Sequence, residues 1–362
     1  MTSALPAAPA TTSADAGGIE QLRAAFDRVP GYLNAASLGL PPRAVTAAMT
    51  EAVAAWTAGR GCPVEYDASV NESRELYARL VGVPAGHVAV GSQVSVFAGL
   101  VAASLPDGAE VVCVDGDFSS MVYPFMVHAD RGVTVRHVPL AELPDALTER
   151  TTMVAFSLAQ SACGSLADGD AVVAAARRVG ALTFCDLTQA AGWMPVDAAA
   201  FDLTVCSAYK WLCAPRGTAF LTVAPDVAET IRPVNAGWYA GASVWDSCYG
   251  PTMQLADDAR RFDVSPAWLS WVGTVPALRL FAGADMTAVR GWDAGLADAL
   301  RARLGSEPCG RPVVSLPDPD GRRMAALEQA GMRVAGRAGK VRIAFHLWNS
   351  SDDVDAAARA LR

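Results

Sequence analysis

The sequence predicts an α/β protein with a large domain built on a mostly parallel, seven-stranded sheet and a smaller α+β C-terminal domain. Three observations predict it. Seven short apolar runs lie between residues 87 and 224, helical stretches separate several of them, and the last third of the chain has a different pattern. Runs that are apolar on both faces are typical of parallel strands covered by helices on both sides.

The elements follow in chain order. Apolar periodicity predicts N-terminal helices over 19–29, 44–56 and 71–81. The seven strands are predicted at 87–92, 110–117, 134–140, 152–160, 181–187, 202–207 and 219–224, with helices at 94–104 and 170–179. A Trp- and Pro-rich stretch follows at 237–271, then a helical region at 272–304, strand-like runs at 313–318 and 340–349, and a helix at 352–361.

These patterns divide the chain into three parts. Residues 1–18 have neither a basic start nor an apolar core, so they are interpreted as a disordered tail and not as a signal peptide. Residues 19–250 are assigned to the N-terminal segment and the large domain. Residues 251–362 are assigned to the small C-terminal domain.

Composition and charge exclude several classes of protein. The 29 basic and 37 acidic residues give a net charge of −8 without long runs, which argues against a nucleic-acid or anionic-membrane partner. No stretch is apolar for long enough to span a bilayer. The eight cysteines form no C-x-x-C pair, which is typical of reduced thiols in a cytoplasmic protein. The four histidines do not have metal-ligand spacing, so no metal site is predicted.

The strongest chemical signal is the block at residues 184–223. One apolar strand ends at Asp186, the next ends at Ser207, and Lys210 follows in a turn rich in Trp, Pro and Gly. Ligands of open α/β sheets bind outside the carboxyl ends of the strands, so these three side chains are expected in one crevice.

An amine and a carboxylate together are what pyridoxal-phosphate (PLP) chemistry requires. The amine forms an imine with the cofactor, and the carboxylate keeps the pyridine nitrogen protonated so that the ring accepts electrons. Lys210 and Asp186 can supply both groups. An isolated pair of this kind is more often a strand-end Asp and a surface Lys. The prediction of a PLP site therefore depends on the other residues of the block as well.

The block resembles the class V branch of the fold-type I PLP enzymes, the branch of cysteine desulfurases and isopenicillin N epimerase. The family pattern is a strand followed by Asp, then Gln, then Ser-x-x-Lys with a Trp-like residue and a Pro-Arg-Gly turn. The sequence shows it as Asp186, Gln189, Ser207, Lys210, Trp211, Pro215, Arg216 and Gly217. The resemblance extends from YLNAASLG near the start to VRIAFHLWNSSDDVDAAARAL at the end, and it implies the PLP fold.

The resemblance implies a role for each residue of the block. Lys210 matches the lysine that holds PLP as a Schiff base, and Asp186 matches the partner of the pyridinium nitrogen. Gln189 matches the residue that hydrogen-bonds the phenolic oxygen, and Ser207 matches a phosphate ligand. Ser161 lies near the family's polar residue beside the phenolic oxygen, a place that Gln160 could also take.

A second phosphate-binding element is expected at the turn Gly91-Ser92-Gln93. The turn follows a strand and precedes an apolar helix, so its free N–H groups and the positive end of the helix dipole would face a dianion. The family has a similar Gly-Ser/Thr-x turn at this point. Taken alone, Gly-Ser before a helix is more often a simple N-cap.

Two aromatic residues occupy family positions that usually hold histidine. Phe118 lies where the family places a ring on the face of the cofactor; it can stack but cannot titrate, and ordinary core is the alternative. Tyr209 directly precedes Lys210. With an unperturbed pKa of about 10, a tyrosine is a poorer proton shuttle near neutrality.

The resemblance also implies a shared site and a substrate clamp. In RRFDVSPAW, Ser265 matches a hydroxyl that reaches the phosphate of the neighbouring subunit, which implies a homodimer with active sites shared across it. In VRIAFHLWN, Arg342 matches the bidentate ligand of a substrate α-carboxylate; a solvent-exposed Arg on a strand is the alternative. Nearby, His346 is the one histidine with a chance of lying close to substrate.

The family implies an enzyme that labilises the Cα–H bond of an amino acid. The favoured reaction is β-elimination on a cysteine S-conjugate, because the family holds such tailoring enzymes of secondary metabolism, including antibiotic biosynthesis. An aminotransferase, an epimerase and an inactive PLP-fold binding protein are the alternatives. A standard desulfurase is disfavoured, since no cysteine stands just before Arg342, where MRVAGRAGK is found. The Trp-rich segment 237–271 either packs as core or interface or lines the mouth of the site.

Overall fold

The computed structural model describes residues 13–362 of the protein, with side chains from residue 18 onward. Residues 1–12 of the predicted tail therefore lie outside the described residues. Within the remainder of that tail, the first helix already begins at Ser13.

The helices and strands alternate through the first two thirds of the chain. The helices are α1 Ser13–Arg23, α2 Arg43–Thr57, α3 Pro63–Val81, α4 Val94–Ser104, α5 Ser119–Met126, α6 Gly169–Val179, α7 Pro225–Ala228, α8 Trp268–Ala282, α9 Met286–Arg303, α10 Arg322–Gln329 and α11 Ser351–Ala360. The strands are β1 Val88–Gly91, β2 Glu110–Val114, β3 Thr134–Val138, β4 Thr151–Ser157, β5 Leu182–Asp186, β6 Leu203–Ser207, β7 Ala219–Val223, β8 Val313–Pro317, β9 Ala335–Arg337 and β10 Lys340–Ala344.

The large sheet has seven strands in the order β1-β7-β6-β5-β4-β2-β3. All neighbouring pairs from β6 to β3 are parallel, whereas β7 runs antiparallel to both β6 and β1. Strand β1 therefore points the same way as β6. As a result, the carboxyl ends of β1, β2, β4, β5 and β6 all lie at one edge of the sheet, where ligands of such sheets bind.

Both faces of this sheet are buried, because successive residues of each strand enter opposite layers. In β5, Cys185 packs into the layer that contains α3, α6 and α8, while Phe184 packs into the layer that contains α4 and α5. Phe220 and Leu221 of β7 alternate in the same way. This double burial explains why the strands are continuous apolar runs in the sequence.

The predicted α/β class, with its mostly parallel seven-stranded sheet and second small sheet, is confirmed. All seven predicted strands are present, with bounds shifted by a few residues. The region predicted as helical over 272–304 is two helices, α8 and α9, because Asp285 starts α9 as its N-cap by accepting the N–H groups of Thr287 and Ala288. Helices α5, α7 and α10 and strand β9 were not predicted. Among the described helices, none is long and apolar enough to cross a membrane.

A separate small core forms at the end of the chain. Strands β8, β10 and β9 make an antiparallel sheet, and α9 and α11 pack beside it. The N-terminal segment joins this unit through bridges from Tyr32 to Arg333 and from Asn34 to Ala344. By contrast, α8 packs on α2 and α3 in the large core. Helix α9 joins the two cores, because Met286 and Val289 pack in the large core and Leu296, Ala297 and Leu300 pack in the small one. The boundary at residue 250 stays a prediction.

A buried ion pair ties α3 to the chain segment beside β1. Arg74 donates to both carboxylate oxygens of Asp263, at 2.7 and 3.1 Å, and both side chains are almost fully buried. Asp263 also accepts the N–H of Val90 at 2.8 Å. Since an arginine does not lose its proton in a protein, removing the aspartate would leave a buried, uncompensated charge.

We expect Asp263→Ala to lower the free energy of unfolding by about 3–5 kcal/mol, measured by urea denaturation. The matched control is Glu72→Gln, which removes the partner of Arg279 in a solvent-exposed pair on the same helix, α3. Exposed pairs contribute about 1 kcal/mol or less, so the control should shift the midpoint little. Equal effects of the two substitutions would contradict this account of Asp263.

Candidate active site

A cavity opens at the carboxyl edge of the large sheet, beside the ends of β5 and β6. Its lining combines residues from the ends of strands, from the start of α4 and from the turn between β6 and β7. The lining residues are Gln93, Val94, Phe118, Ser120, Ser161, Asp186, Thr188, Gln189, Ser207, Tyr209, Lys210 and Arg216. Most of the predicted site residues are thus brought together.

Lys210 is carried on the turn from β6 back into the antiparallel β7. Two glycines allow other segments to approach the backbone of this turn closely. A Cβ at Gly39 would lie 2.0 Å from the carbonyl oxygen of Lys210, and a Cβ at Gly192 would lie 2.6 Å from the carbonyl of Trp211. The N-terminal segment and the loop after β5 therefore pack against the turn from two sides and fix the position of Lys210.

The amine of Lys210 is buried and faces the cavity. Lys210 is only 6% exposed, and its Nζ lies 5.2 Å from the centre of the Phe118 ring. Burial lowers the pKa of Lys210 to about 8, although the carboxylate of Asp186 opposes the shift. Roughly a tenth of the amine is then neutral at pH 7, which is the form that attacks a carbonyl.

Asp186 ends β5 at the floor of the cavity. Its Oδ1 accepts the backbone N–H of Thr188 at 2.8 Å, and the residue is 4% exposed. Burial raises the pKa of Asp186 to about 6, against the opposing effects of Thr188 and Lys210. A desolvated carboxylate of this kind is stabilised by any cation that binds beside it.

Gln189 has a defined amide orientation. Its Oε1 accepts the indole N–H of Trp211 at 2.8 Å, and an indole can only donate. The NH₂ group must therefore point the other way, where it donates to the carbonyl of Ala36 at 2.9 Å and to Oγ of Ser161 at 3.2 Å. Both N–H groups of Gln189 are therefore engaged, one of them at Ser161, which lines the cavity.

The start of α4 offers uncapped N–H groups to the cavity. Gln93 is the N-cap residue, with extended backbone and no side-chain hydrogen bond to the helix. Ser92 neither caps the helix nor lines the cavity. The alternative of a simple Ser N-cap therefore does not apply. Gln93 and Ser207 lie in the lining, as predicted, and Ser92 does not.

Phe118 is a cavity residue and not ordinary core, since it is 40% exposed. Asp117 holds it in place: one carboxylate oxygen accepts the N–H of Phe118 at 2.7 Å, and the other accepts the N–H of Ser157 at 2.7 Å. The loop after β2 is thereby tied to the end of β4. Next to Lys210, the ring of Tyr209 lies 4.9 Å from the guanidinium carbon of Arg216.

Arg342 lies directly behind Ser161 and does not itself reach the cavity lining. It donates to Oγ of Ser37 at 2.6 Å, to Oγ of Ser161 at 3.3 Å and to the carbonyl of Ser161. The residue is 1% exposed, so the alternative of a solvent-exposed Arg is wrong. Among the described residues no carboxylate pairs with it, and its buried Nε has no hydrogen-bond partner.

The comparisons with known proteins agree with this geometry. The family model described as aminotransferase class-V matches residues 32–323, most of the chain. The chain belongs to the class-V aminotransferase family. The uncharacterized aminotransferase YcbU of Bacillus subtilis is 28% identical over 60% of each chain, so the match spans less than two thirds of that relative. Isopenicillin N epimerase of Streptomyces clavuligerus is 27% identical over 71% of this chain and 69% of its own.

The fold also matches that of solved class-V structures. A cysteine desulfurase of Escherichia coli superposes with a TM-score of 0.81, covering 95% of this chain and 97% of that one at 20% identity. At this level of identity the likeness concerns the fold, and it confirms the PLP fold type I architecture expected from the sequence.

This class-V protein is a PLP-dependent enzyme, and the residues of its cavity fit the cofactor. Lys210 would supply a buried amine, Asp186 a desolvated carboxylate for the pyridinium, and Gln189 a polar contact for the phenolic oxygen. Ser207 and the first N–H groups of α4 would hold the phosphate. When bound, PLP withdraws electrons from the Cα of an amino acid.

Sequence reasoning missed part of this site. Thr188 and Arg216 line the cavity, yet neither was assigned to it. Both had a signal: Thr188 stands between Asp186 and Gln189, and Arg216 belongs to the Pro-Arg-Gly turn. Thr188 also accepts the N–H of Ser207 at 2.9 Å, which links the ends of β5 and β6.

His346 does not reach the cavity. Its Nδ1 lies 2.6 Å from Oδ2 of Asp293 in α9, and its Nε2 lies 2.9 Å from the carbonyl of Trp211. The aspartate raises the pKa of His346 to about 10, so the ring carries a proton on each nitrogen near neutrality. The Asp293–His346 pair therefore connects α9 to the turn that carries Lys210, outside the cavity.

Two further predicted features lie away from the cavity. Ser265 is exposed and outside the lining. Residues of the Trp-rich segment are also absent from the lining: Trp271 packs on Phe220 in the core, and Tyr239 and Trp245 hydrogen-bond Asp67 of α3. These residues pack in the core or against α3 of their own chain, and a role of the segment in a subunit interface stays a prediction.

Proposed function

We propose that this class-V enzyme removes the Cα proton of a cysteine S-conjugate and eliminates its β-sulfur substituent. The Cα–H and Cβ–S bonds break, the sulfur leaves as a thiol, and one water is consumed as pyruvate and ammonium form. The observation that supports this proposal best is that Lys210 is the one titratable amine beside the described cavity, with a pKa near 8. It can take the proton and return it.

The composition of the cavity argues against the epimerase alternative. Epimerisation delivers protons to both faces of Cα, which calls for an acid–base group on each side. Phe118 occupies the position of a face-stacking residue, and a phenylalanine cannot exchange a proton. Tyr209 also carries an exchangeable proton at the cavity, but burial raises its pKa further above neutrality, so Lys210 is the one effective base there. A single base suits elimination and also transamination, so these two reactions have to be separated by experiment.

The test is to incubate the holoenzyme with S-alkyl and S-aryl cysteines and to quantify each product. Equal amounts of free thiol and pyruvate support elimination. A keto acid that retains the sulfur, with loss of the cofactor's absorbance, identifies an aminotransferase instead. Loss of optical activity without a keto acid identifies an epimerase, and a protein that neither binds PLP covalently nor exchanges the Cα proton is a binding protein.

We further propose a homodimer in which Ser265 of one subunit contacts the phosphate in the other. Ser265 is exposed and lies outside the cavity of its own chain. Exposed apolar side chains cluster on α5 and at its two ends, as a subunit interface would require: they are Phe118, Tyr123, Met126 and Val127. A role in secondary metabolism, such as antibiotic biosynthesis, is supported by the similarity to isopenicillin N epimerase.

We expect Ser265→Ala to weaken PLP retention, and the loss to increase on dilution as subunits separate. Retention is measured by gel filtration followed by absorbance of the eluted protein, and subunit state by analytical ultracentrifugation. Ser306→Ala, an exposed serine after α9, is the control. A fully active monomer, or equal PLP retention in both variants, would contradict the shared site.

A further inference from the structure

The segment just before Arg342 is a tight hairpin. Between β9 and β10 the two linking residues, Ala338 and Gly339, have φ angles of 48° and 70°, as in the two-residue turns that reverse antiparallel strands. Alanine adopts this left-handed conformation at a cost, so the hairpin geometry is imposed here by its surroundings. The hairpin therefore fixes the position of Arg337, the last residue of β9.

The register of the hairpin places Arg337 near Arg342. Arg342 pairs with Ala335 and Lys340 pairs with Arg337. Arg337 is therefore the diagonal neighbour of Arg342 on one face of the small sheet, within reach of a long side chain.

The two guanidinium groups converge on one neutral oxygen. Oγ of Ser37 accepts from Nη2 of Arg342 at 2.6 Å and from Nη2 of Arg337 at 3.3 Å. Neither arginine forms a salt bridge with the residues that the structure describes. Burial first, and then the charge of Arg337, lowers the pKa of Arg342 to about 10, which reflects the repulsion between them.

The two arginines at Ser37 carry one positive charge more than a single α-carboxylate would neutralise. In the cavity itself, Lys210 and Arg216 are accompanied by Asp186, the one acidic residue of the lining. Arg342 suffices for one α-carboxylate. The guanidinium of Arg216 lies against the ring of Tyr209. Arg337 is exposed and lies beside Arg342, outside the cavity lining, so its charge is left for a further anion.

We propose that Arg337 binds an anionic group on the substrate's side chain, so that the substrate is an amino acid carrying a second carboxylate. The proposal rests on the elimination reaction proposed above and names the class of cysteine conjugate that undergoes it. Arg342, which lies behind the lining residue Ser161, would bind the α-carboxylate there, and Ser37 lies between the two guanidinium groups. Arg337 is thus a specificity-determining residue.

The test compares two conjugates of nearly equal shape, S-carboxymethylcysteine and its neutral amide, S-carbamoylmethylcysteine, with the holoenzyme. The wild-type enzyme should prefer the carboxylate. Arg337→Gln should lower kcat/KM for the carboxylate by about 10- to 100-fold, as expected for losing a charge-assisted hydrogen bond, and change the amide by less than about threefold. Arg342→Lys should lower kcat/KM for both conjugates.

Arg333→Gln is the matched control, because Arg333 is exposed on the same arm of the hairpin and contacts the N-terminal segment through its backbone, with no side-chain bond to Ser37 among the described residues. It should leave both conjugates unchanged. Calorimetric binding of the two conjugates to the holoenzyme gives a readout that does not need turnover. If neither conjugate reacts, the proposed elimination fails, while a selective loss of carboxylate binding in Arg337→Gln still supports this role. Equal losses for both conjugates, or none, overturn it.

Discussion

Lys210→Ala is expected to abolish turnover, with kcat lowered by more than about 10⁴-fold, because the variant lacks the amine that we propose binds PLP covalently and acts as the base at Cα. The protein should still fold, since the side chain faces the cavity and the turn is held by backbone contacts at Gly39 and Gly192. Circular dichroism and the thermal midpoint check this.

The covalent link can be measured directly. Lys340 is the only other lysine in the sequence, so peptide mapping after borohydride reduction has two possible outcomes. We expect the modification on Lys210 in the wild-type protein and in the control Lys340→Ala, and on neither lysine in Lys210→Ala. Retained turnover in Lys210→Ala would show that the central assignment is wrong.

The pKa of Lys210 predicts how the attachment of PLP to the apoenzyme depends on pH. With a pKa of about 8 in the folded protein, the amine is protonated below that value and neutral above it. The rate of covalent attachment should therefore rise as pH increases from 6 to 8 and level off above about 8. An ordinary surface lysine would continue to gain reactivity up to about pH 10.

Asp186→Ala should have the second-largest effect. Without the carboxylate the pyridine nitrogen loses its proton, and we expect a decrease in kcat of about 10²- to 10³-fold together with weaker PLP binding. Asp115→Ala is the control, because Asp115 also follows a strand at this edge but is exposed. An unaffected rate in Asp186→Ala would point to another carboxylate.

The same carboxylate predicts a pH dependence of cofactor binding. Burial raises the pKa of Asp186 to about 6, so the group carries its charge above that pH and loses it below. PLP affinity, measured by fluorescence titration of the apoenzyme, should therefore fall as pH decreases through 6. In Asp186→Ala this decrease should be absent, which separates Asp186 from other groups that titrate in the same range.

Part of the site could be predicted because its signals are contiguous in the chain. Asp186, Gln189, Ser207 and Lys210 fall within 25 residues, at strand ends that the hydrophobic pattern marks. Phe118 and Gln93 could be placed because each also follows a strand at the same edge. The predicted roles of these residues remain to be tested by the variants described above.

Other features could not be predicted because they depend on pairs distant in sequence. The contacts of Arg342 with Ser161 and Ser37 join residues separated by 181 and 305 positions. The approach of Arg337 depends on the register of a hairpin that the sequence pattern did not indicate. The Asp293–His346 pair joins α9 to the loop after β10, and hydrophobic periodicity carries no information about such polar partners.

The sequence by itself determined the strands, the layers and the cofactor-binding block, because burial on both faces imposes continuous apolar runs and strand ends expose their polar residues. The tertiary structure alone decided which cations meet beside the cavity. Hydrophobic burial fixes where a strand lies along the chain, whereas the meeting of Arg337, Arg342, Ser37 and Ser161 depends on how two separately formed cores dock against the N-terminal segment.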